Sequence, residues 1–110
     1  MAPEPLLSEL EHLVLLAVLR LGDGAYAVSI RDEISSVTGL KPLRGSIYVT
    51  LDRLEKKEYL ASSMGDPTPE RGGKARRYFR VTPAARRALR ASRTVFQKMW
   101  EGVETPAGKS

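Results

Sequence analysis

Between residues 57 and 83 the apolar period of this chain changes twice, and a short hairpin set among helices accommodates both changes. Upstream of it, Ile47, Leu51 and Leu54 recur at i, i+4 and i+7, the spacing of one helix face. Residues 59–64 are then a mixture of apolar and hydroxyl side chains that predicts a strand, and 65–73 are dense in Gly and Pro, the composition of a long hairpin loop. From 76 to 82, Arg76, Tyr78, Arg80 and Thr82 alternate with Arg77, Phe79 and Val81, the pattern of a return strand with one packed and one wet face. Thr82 followed by Pro83 supplies an N-cap and a first-turn proline, so a last helix starts at once.

Three helices precede the hairpin. Ser8 and Glu11 have capping-box spacing directly before an apolar run, which predicts a helix from Ser8 to about Leu21, stopped by Gly22, Asp23 and Gly24. Val28, Ile30, Ile34 and Val37 fit a short amphipathic helix over 26–38, ended by Gly39 and kept from resuming by Pro42. A third starts near Gly45 or Ser46. Its outward face offers Ser46, Val49, Thr50, Arg53, Lys56 and Lys57, with Lys41 and Arg44 beside its N-terminal end.

Two helices carry more apolar surface than one small core takes up. On the first, Leu10, Leu13, Val14, Ala17 and Leu21 keep the spacing of one stripe, yet Leu15, Leu16, Val18 and Leu19 are apolar too. On the last, Leu89, Ser92, Phe96, Met99, Trp100 and Val103 recur at helical spacing past the reach of the core. A second copy of the chain is the expected cover, with Leu10, Leu13, Val14, Phe96, Met99, Trp100 and Val103 at the interface. The organisation expected is a tail over 1–7, a compact domain over 8–82, a dimerisation helix over 83–104 and a tail over 105–110.

Composition excludes several classes. Without cysteine there is no disulfide, thiolate metal site or thiol chemistry, and one histidine, His12, is too few for an ordinary zinc site. No cofactor is expected. The longest apolar run, residues 13–19, is well short of the roughly 20 that a membrane helix needs, and the first residues lack a secretory pattern. A cytoplasmic protein is expected, associated with the nucleoid and not with a membrane. Nothing assembles a nucleophile, a base and an orienting group, and Gly73-Lys74 lacks the rest of a phosphate loop, so an enzyme is not expected.

The formal net charge is +5, and its distribution matters more than its size. Arg71, Lys74, Arg76, Arg77, Arg80, Arg86, Arg87, Arg90 and Arg93 follow one another with no acidic residue among them. The planar forks of arginine suit phosphate oxygens, although such a run also serves as a solvated surface.

Three helices, a hairpin and a final helix make the winged helix-turn-helix plan: mainly α, with a two-stranded wing and a long C-terminal helix. In that plan the polar face of the third helix enters the major groove, and the wing, with Arg71, Lys74, Arg76 and Arg77, lies on the backbone or the adjacent minor groove. Base readout is restricted, because the chain has no Asn and its only Gln is Gln97. Arg44 or Arg53 to guanine, and Val49 or Thr50 to a thymine methyl, are the contacts left open. Arg53 has a second option in pairing with Asp52, Glu55 or Glu58.

The stretch 45–60, Gly-Ser-Ile-Tyr-Val-Thr-Leu-Asp-Arg-Leu-Glu-Lys-Lys-Glu-Tyr-Leu, resembles the reading helix of PadR-like regulators. Pro69-Glu70-Arg71-Gly72-Gly73-Lys74-Ala75-Arg76-Arg77-Tyr78-Phe79 resembles their wing, and Thr82-Pro83-Ala84 the start of their final helix. The resemblance implies a dimeric repressor that pairs through its first and last helices and binds short inverted repeats in double-stranded DNA. It implies that Tyr48 meets the DNA backbone and that Arg71, Lys74 and Arg76 are wing contacts. It also implies a small aromatic effector, since some relatives hold flat aromatic compounds between the two final helices beside tryptophans, here Trp100. For Tyr48 packing against the second helix is the alternative; for Trp100 packing in the dimer is the first reading and the effector the second. Glu58 stands where the family often has glycine, which implies a strained or blunt end to the third helix; Ala27 and Ala85 also replace family glycines. The rival function is a winged helix that binds protein or structured RNA and has no operator.

Overall fold

The computed structural model describes residues 6–65 and 75–103. In chain order these form α1 (Glu9–Leu21), a 3-10 turn (Gly22–Gly24), α2 (Ala27–Thr38), α3 (Arg44–Lys56), β1 (Leu60–Met64), β2 (Arg77–Val81) and α4 (Pro83–Trp100). This is the winged helix-turn-helix order read from the sequence. The predicted boundaries hold to within a residue or two, except that α4 ends at Trp100, followed by Gly102 at a φ of 81°, so Val103 lies beyond the helix.

Local chemistry sets most of the ends. The Ser8 Oγ accepts from the Glu11 amide at 3.2 Å, and Glu11 Oε1 accepts from the Ser8 amide at 2.9 Å, which closes the capping box of α1. Gly39 takes the left-handed conformation that stops α2. The turn after it is held by Thr38, which accepts from the Leu40 amide, and by Arg31, whose Nε donates to the Pro42 carbonyl at 2.7 Å. At the start of α4 the Thr82 hydroxyl accepts from the Ala85 amide and donates to the Glu58 carbonyl at 2.8 Å.

The two strands pair antiparallel, Leu60 opposite Val81 and Met64 opposite Arg77. The core lies between this hairpin and the helices, with α1 packed against α2, α3, β2 and α4. Its centre is Val14, Leu15, Val18, Ile30, Ile34, Ile47, Leu51 and Leu54. On the far face of α1, Leu16 stays exposed, as do Phe96, Met99 and Trp100 on α4. Val14 corrects the expected subunit surface: it is 0% exposed within a single chain and so belongs to the chain's own core. The inward sector of α1 is centred on Glu11, Val14, Leu15 and Val18, and the unpartnered apolar residue on its other side is Leu16.

No single helix among the described residues is long and apolar enough to cross a membrane.

Candidate nucleic-acid interface

The outward face of α3 is formed by what its inward stripe leaves over. Ile47, Leu51 and Leu54 point to the core, and Thr50 lies within the same arc, three residues from Ile47 and four from Leu54. Thr50 is therefore 4% exposed and presents nothing to a groove, which corrects its placement on the reading face. Tyr48, Val49 and Arg53 are exposed on that face, with Arg44 at its N-terminal end and Ser46 half-buried beside it. Arg53 forms no ion pair among the described residues, whereas Lys56 pairs with Asp52 at 3.1 Å. Lys57 also leaves the outward face, because its ammonium turns inward to Glu11. Lys41 stands exposed in the turn before the helix.

The hairpin brings Arg76 and Arg77 to the same side of the molecule. Arg71 and Lys74, expected at the wing tip, lie outside the described residues. Arg77 is exposed and its Nη1 lies 3.4 Å from Oε1 of Glu55 on α3, while the Ser62 hydroxyl of β1 donates to the other oxygen of that carboxylate at 2.7 Å. Arg76 sits with its guanidinium carbon 3.9 Å from the centre of the Tyr26 ring. Between α3, the start of α2 and β2 runs a cleft of about 600 Å³ whose polar lining is Tyr26, Tyr48, Asp52, Glu55, Arg76 and Arg77.

Sequence reading missed Tyr26 and Glu55 as parts of this face. Both join it through contacts between distant parts of the chain, which apolar periodicity does not encode. Opposite charge on Glu55 and on the return strand was the one available signal.

Among the described residues no group of three or more His, Asp or Glu side chains could hold a metal ion. His12, on the outer side of α1, has its pKa lowered by burial; it borders a groove with Leu16, Leu19, Leu89 and the arginines Arg86, Arg90 and Arg93 of α4. The expected subunit residues fall into two groups. Leu10 and Leu13 are half-buried against the chain's own core, whereas Phe96, Met99, Trp100 and Val103 are all exposed.

A helix with a mixed polar and apolar outer face, joined by a tight turn to a shorter helix and flanked by an arginine-bearing hairpin, defines a winged-helix DNA-binding protein. The profile of the PadR-like family of transcriptional regulators matches residues 15–91, and the chain belongs to that family. It is a DNA-binding transcriptional regulator and not an enzyme. Among solved structures it is similar to a PadR family transcriptional regulator from Eggerthella lenta, with 28% identity and a TM-score of 0.68 over 86% of this chain and 82% of that one. A transcriptional regulator from Clostridium thermocellum shares the fold at 22% identity and a TM-score of 0.71, over 84% of this chain and 87% of that one. So does Bordetella bronchiseptica BpsR, whose DNA binding is regulated by 6-hydroxynicotinic acid, at 19% identity and a TM-score of 0.63 over 96% and 74% of the two chains. No protein of curated function matches the chain.

Proposed function

We propose that this chain is a homodimeric repressor that binds inverted-repeat operators in double-stranded DNA and acts in the cytoplasm on the nucleoid. The observation that carries the reading is that Tyr48 of α3 lines the same cleft as Arg76 and Arg77 of the hairpin, while Val49 and Arg53 stand exposed on the outward face of the same helix. In this reading α3 lies in the major groove. Arg53 or Arg44 reaches guanine, Val49 meets a thymine methyl, and Tyr48 donates to a phosphate. The cations of the hairpin, Arg71 and Lys74 included, neutralise phosphates on the flanking strand.

Two copies pair through Leu10, Leu13 and Leu16 of α1 and through Phe96, Met99, Trp100 and Val103. The support is that Leu16 and the four C-terminal residues are apolar and exposed in a single chain. A flat aromatic effector held beside Trp100, between the two final helices, would couple a small molecule to the spacing of the two reading helices. BpsR, of similar fold, responds to such a compound.

The test is to select fragments of the protein's own genome with the purified protein, footprint them, and measure binding against salt. Protected half-sites about one helical turn apart, an affinity that falls steeply with salt, and lower transcription from the bound promoter are expected. Equal binding to double-stranded RNA, or indifference to DNA while a protein partner is retained, would replace this reading with the interaction-module one.

A further inference from the structure

Two arginines open the return strand, and the structure holds them in different ways. Arg77 faces a carboxylate, Glu55, 3.4 Å from its Nη1, so the cation has a negative group of the protein beside it. Arg76 faces an aromatic ring, which attracts the guanidinium through its quadrupole but leaves the cation's full charge in place.

The ring is itself fixed from several directions. The Tyr26 amide donates to Ser29 Oγ at 2.9 Å, and that hydroxyl in turn donates to the Gly24 carbonyl at 2.6 Å, so the backbone at Tyr26 is pinned at the entrance to α2. One residue earlier, the Ala25 carbonyl accepts from the Phe79 amide at 2.8 Å, which ties β2 to the same corner. Tyr78 meets the Tyr26 ring edge-on, with centroids 5.8 Å apart. Gly65 makes room for Tyr78, because a Cβ there would lie 2.7 Å from the Tyr78 ring. The Gly65 amide donates to the Arg76 carbonyl at 2.7 Å. The loop end of the described hairpin is thus a chain of contacts from Gly65 through Tyr78 and Tyr26 to Arg76.

We propose that Tyr26 is the positioning residue for Arg76, the platform that holds this cation at the mouth of the cleft, where it meets a phosphate of bound DNA. The inference rests on the DNA-binding reading above. It adds the residue at the N-cap of α2, which sets one phosphate contact through Arg76. A flexible arginine loses side-chain freedom when it grips a phosphate, and the platform removes that cost beforehand. Tyr26 needs only its ring for this, since the contact is with the π face and not with the hydroxyl.

The test is a double-mutant cycle on binding of a genomically selected duplex, read as affinity at several salt concentrations by fluorescence anisotropy. Tyr26→Phe is expected to match the wild type. Tyr26→Leu is expected to lose roughly 3- to 20-fold in affinity, and the salt dependence of log K should become shallower by about one ion. Arg76→Ala should lose at least as much, and Tyr26→Leu added to Arg76→Ala should cost little more than Arg76→Ala alone. Circular dichroism melts of each variant separate these losses from unfolding.

Effects of Tyr26→Leu and Arg76→Ala that multiply, or a Tyr26→Leu protein with the wild-type salt slope, overturn the proposal and leave the DNA-binding reading standing. A loss for Tyr26→Phe as large as for Tyr26→Leu overturns it also, by moving the role to the hydroxyl. A wild-type protein that binds no duplex overturns both.

Discussion

Lys57 Nζ lies 2.6 Å from Oε2 of Glu11, a carboxylate that is 2% exposed in its side chain. The contact joins the first turn of α1 to the end of α3. The same carboxylate closes the α1 capping box through its other oxygen, so one buried charge serves a helix terminus and an interhelix tie. Burial by itself raises the Glu11 pKa, but the hydrogen bond from Lys57, the Ser8 amide and the Lys57 charge together hold it below its ordinary 4.5.

Replacing Lys57 with Met leaves that carboxylate without its cation. Because Lys57 is itself 44% exposed and water reaches the pair, the expected loss is less than for a fully buried ion pair, on the order of 1–3 kcal/mol in urea unfolding at neutral pH. The pH dependence has a definite sign. A depressed folded-state pKa means that the native chain binds the proton less readily than the unfolded one. The stabilisation is therefore complete above pH 4.5 and disappears as pH falls through the folded value. Glu11→Gln should start from a lower stability and show a shallower acid limb than the wild type; an unchanged limb would remove Glu11 from the account.

Glu58 is the one described residue other than glycine with positive φ, at 63°. It ends α3 in a Schellman arrangement, with the Tyr59 amide donating to the Leu54 carbonyl and the Glu58 amide to the Glu55 carbonyl, both at 2.9 Å. An L side chain in that conformation costs roughly 1–2 kcal/mol, part of which glycine returns as extra freedom of the unfolded chain. Glu58→Gly is expected to stabilise the protein by about 0.5–1 kcal/mol, seen as a higher midpoint in thermal melts. The Thr82 hydroxyl bonds only the backbone carbonyl at this position, so the substitution leaves that contact intact. A lower midpoint would show that the Glu58 side chain contributes more than its conformation costs.

These two sites mark where the sequence was legible. Features written in three or four consecutive residues came through: the Ser8 and Glu11 box, the Gly39 stop and the Thr82 and Pro83 start, whereas the strain at Glu58 was one of two outcomes implied by the family resemblance and not by local spacing. Which of several apolar or small residues on one helix points inward was less legible. Thr50 and Val14 each flank an obvious core position, and a helix buries an arc wider than a single stripe. Contacts across the chain were not legible. Lys57 on Glu11, Arg77 on Glu55 and Arg76 on Tyr26 each depend on packing that brings separate elements together, and local spacing holds no record of it.

The Glu55 carboxylate places negative charge on the side proposed to face phosphate. Its pair with Arg77 is largely exposed, so it adds little to stability, within about 0.5 kcal/mol. For binding, the carboxylate competes with DNA for Arg77 and repels the backbone. Glu55→Gln keeps an oxygen for the Ser62 hydroxyl and removes the charge. We expect about 3- to 10-fold tighter DNA binding in low salt, with the gain shrinking as added ions screen the site. Unchanged affinity in anisotropy titrations would mean that Arg77 and Glu55 stay together in the complex, away from phosphate.

The C-terminal half of α4 bears on assembly in a way that separates stability from function. Phe96 and Trp100 are 50% and 54% exposed in a single chain, so charging them removes few contacts from the core. In a dimer built on this face, the same change buries two charges per copy with no partner and disfavours association strongly. Phe96→Glu combined with Trp100→Glu should therefore leave a folded monomer by sedimentation. Two linked half-sites bind far more tightly than one because the second contact is intramolecular. The monomer is expected to bind a full operator on the order of 100-fold more weakly and to approach the affinity of the wild type for an isolated half-site. If the variant still sediments as a dimer, the subunits pair through another surface, and the exposed apolar face of α4 serves something else.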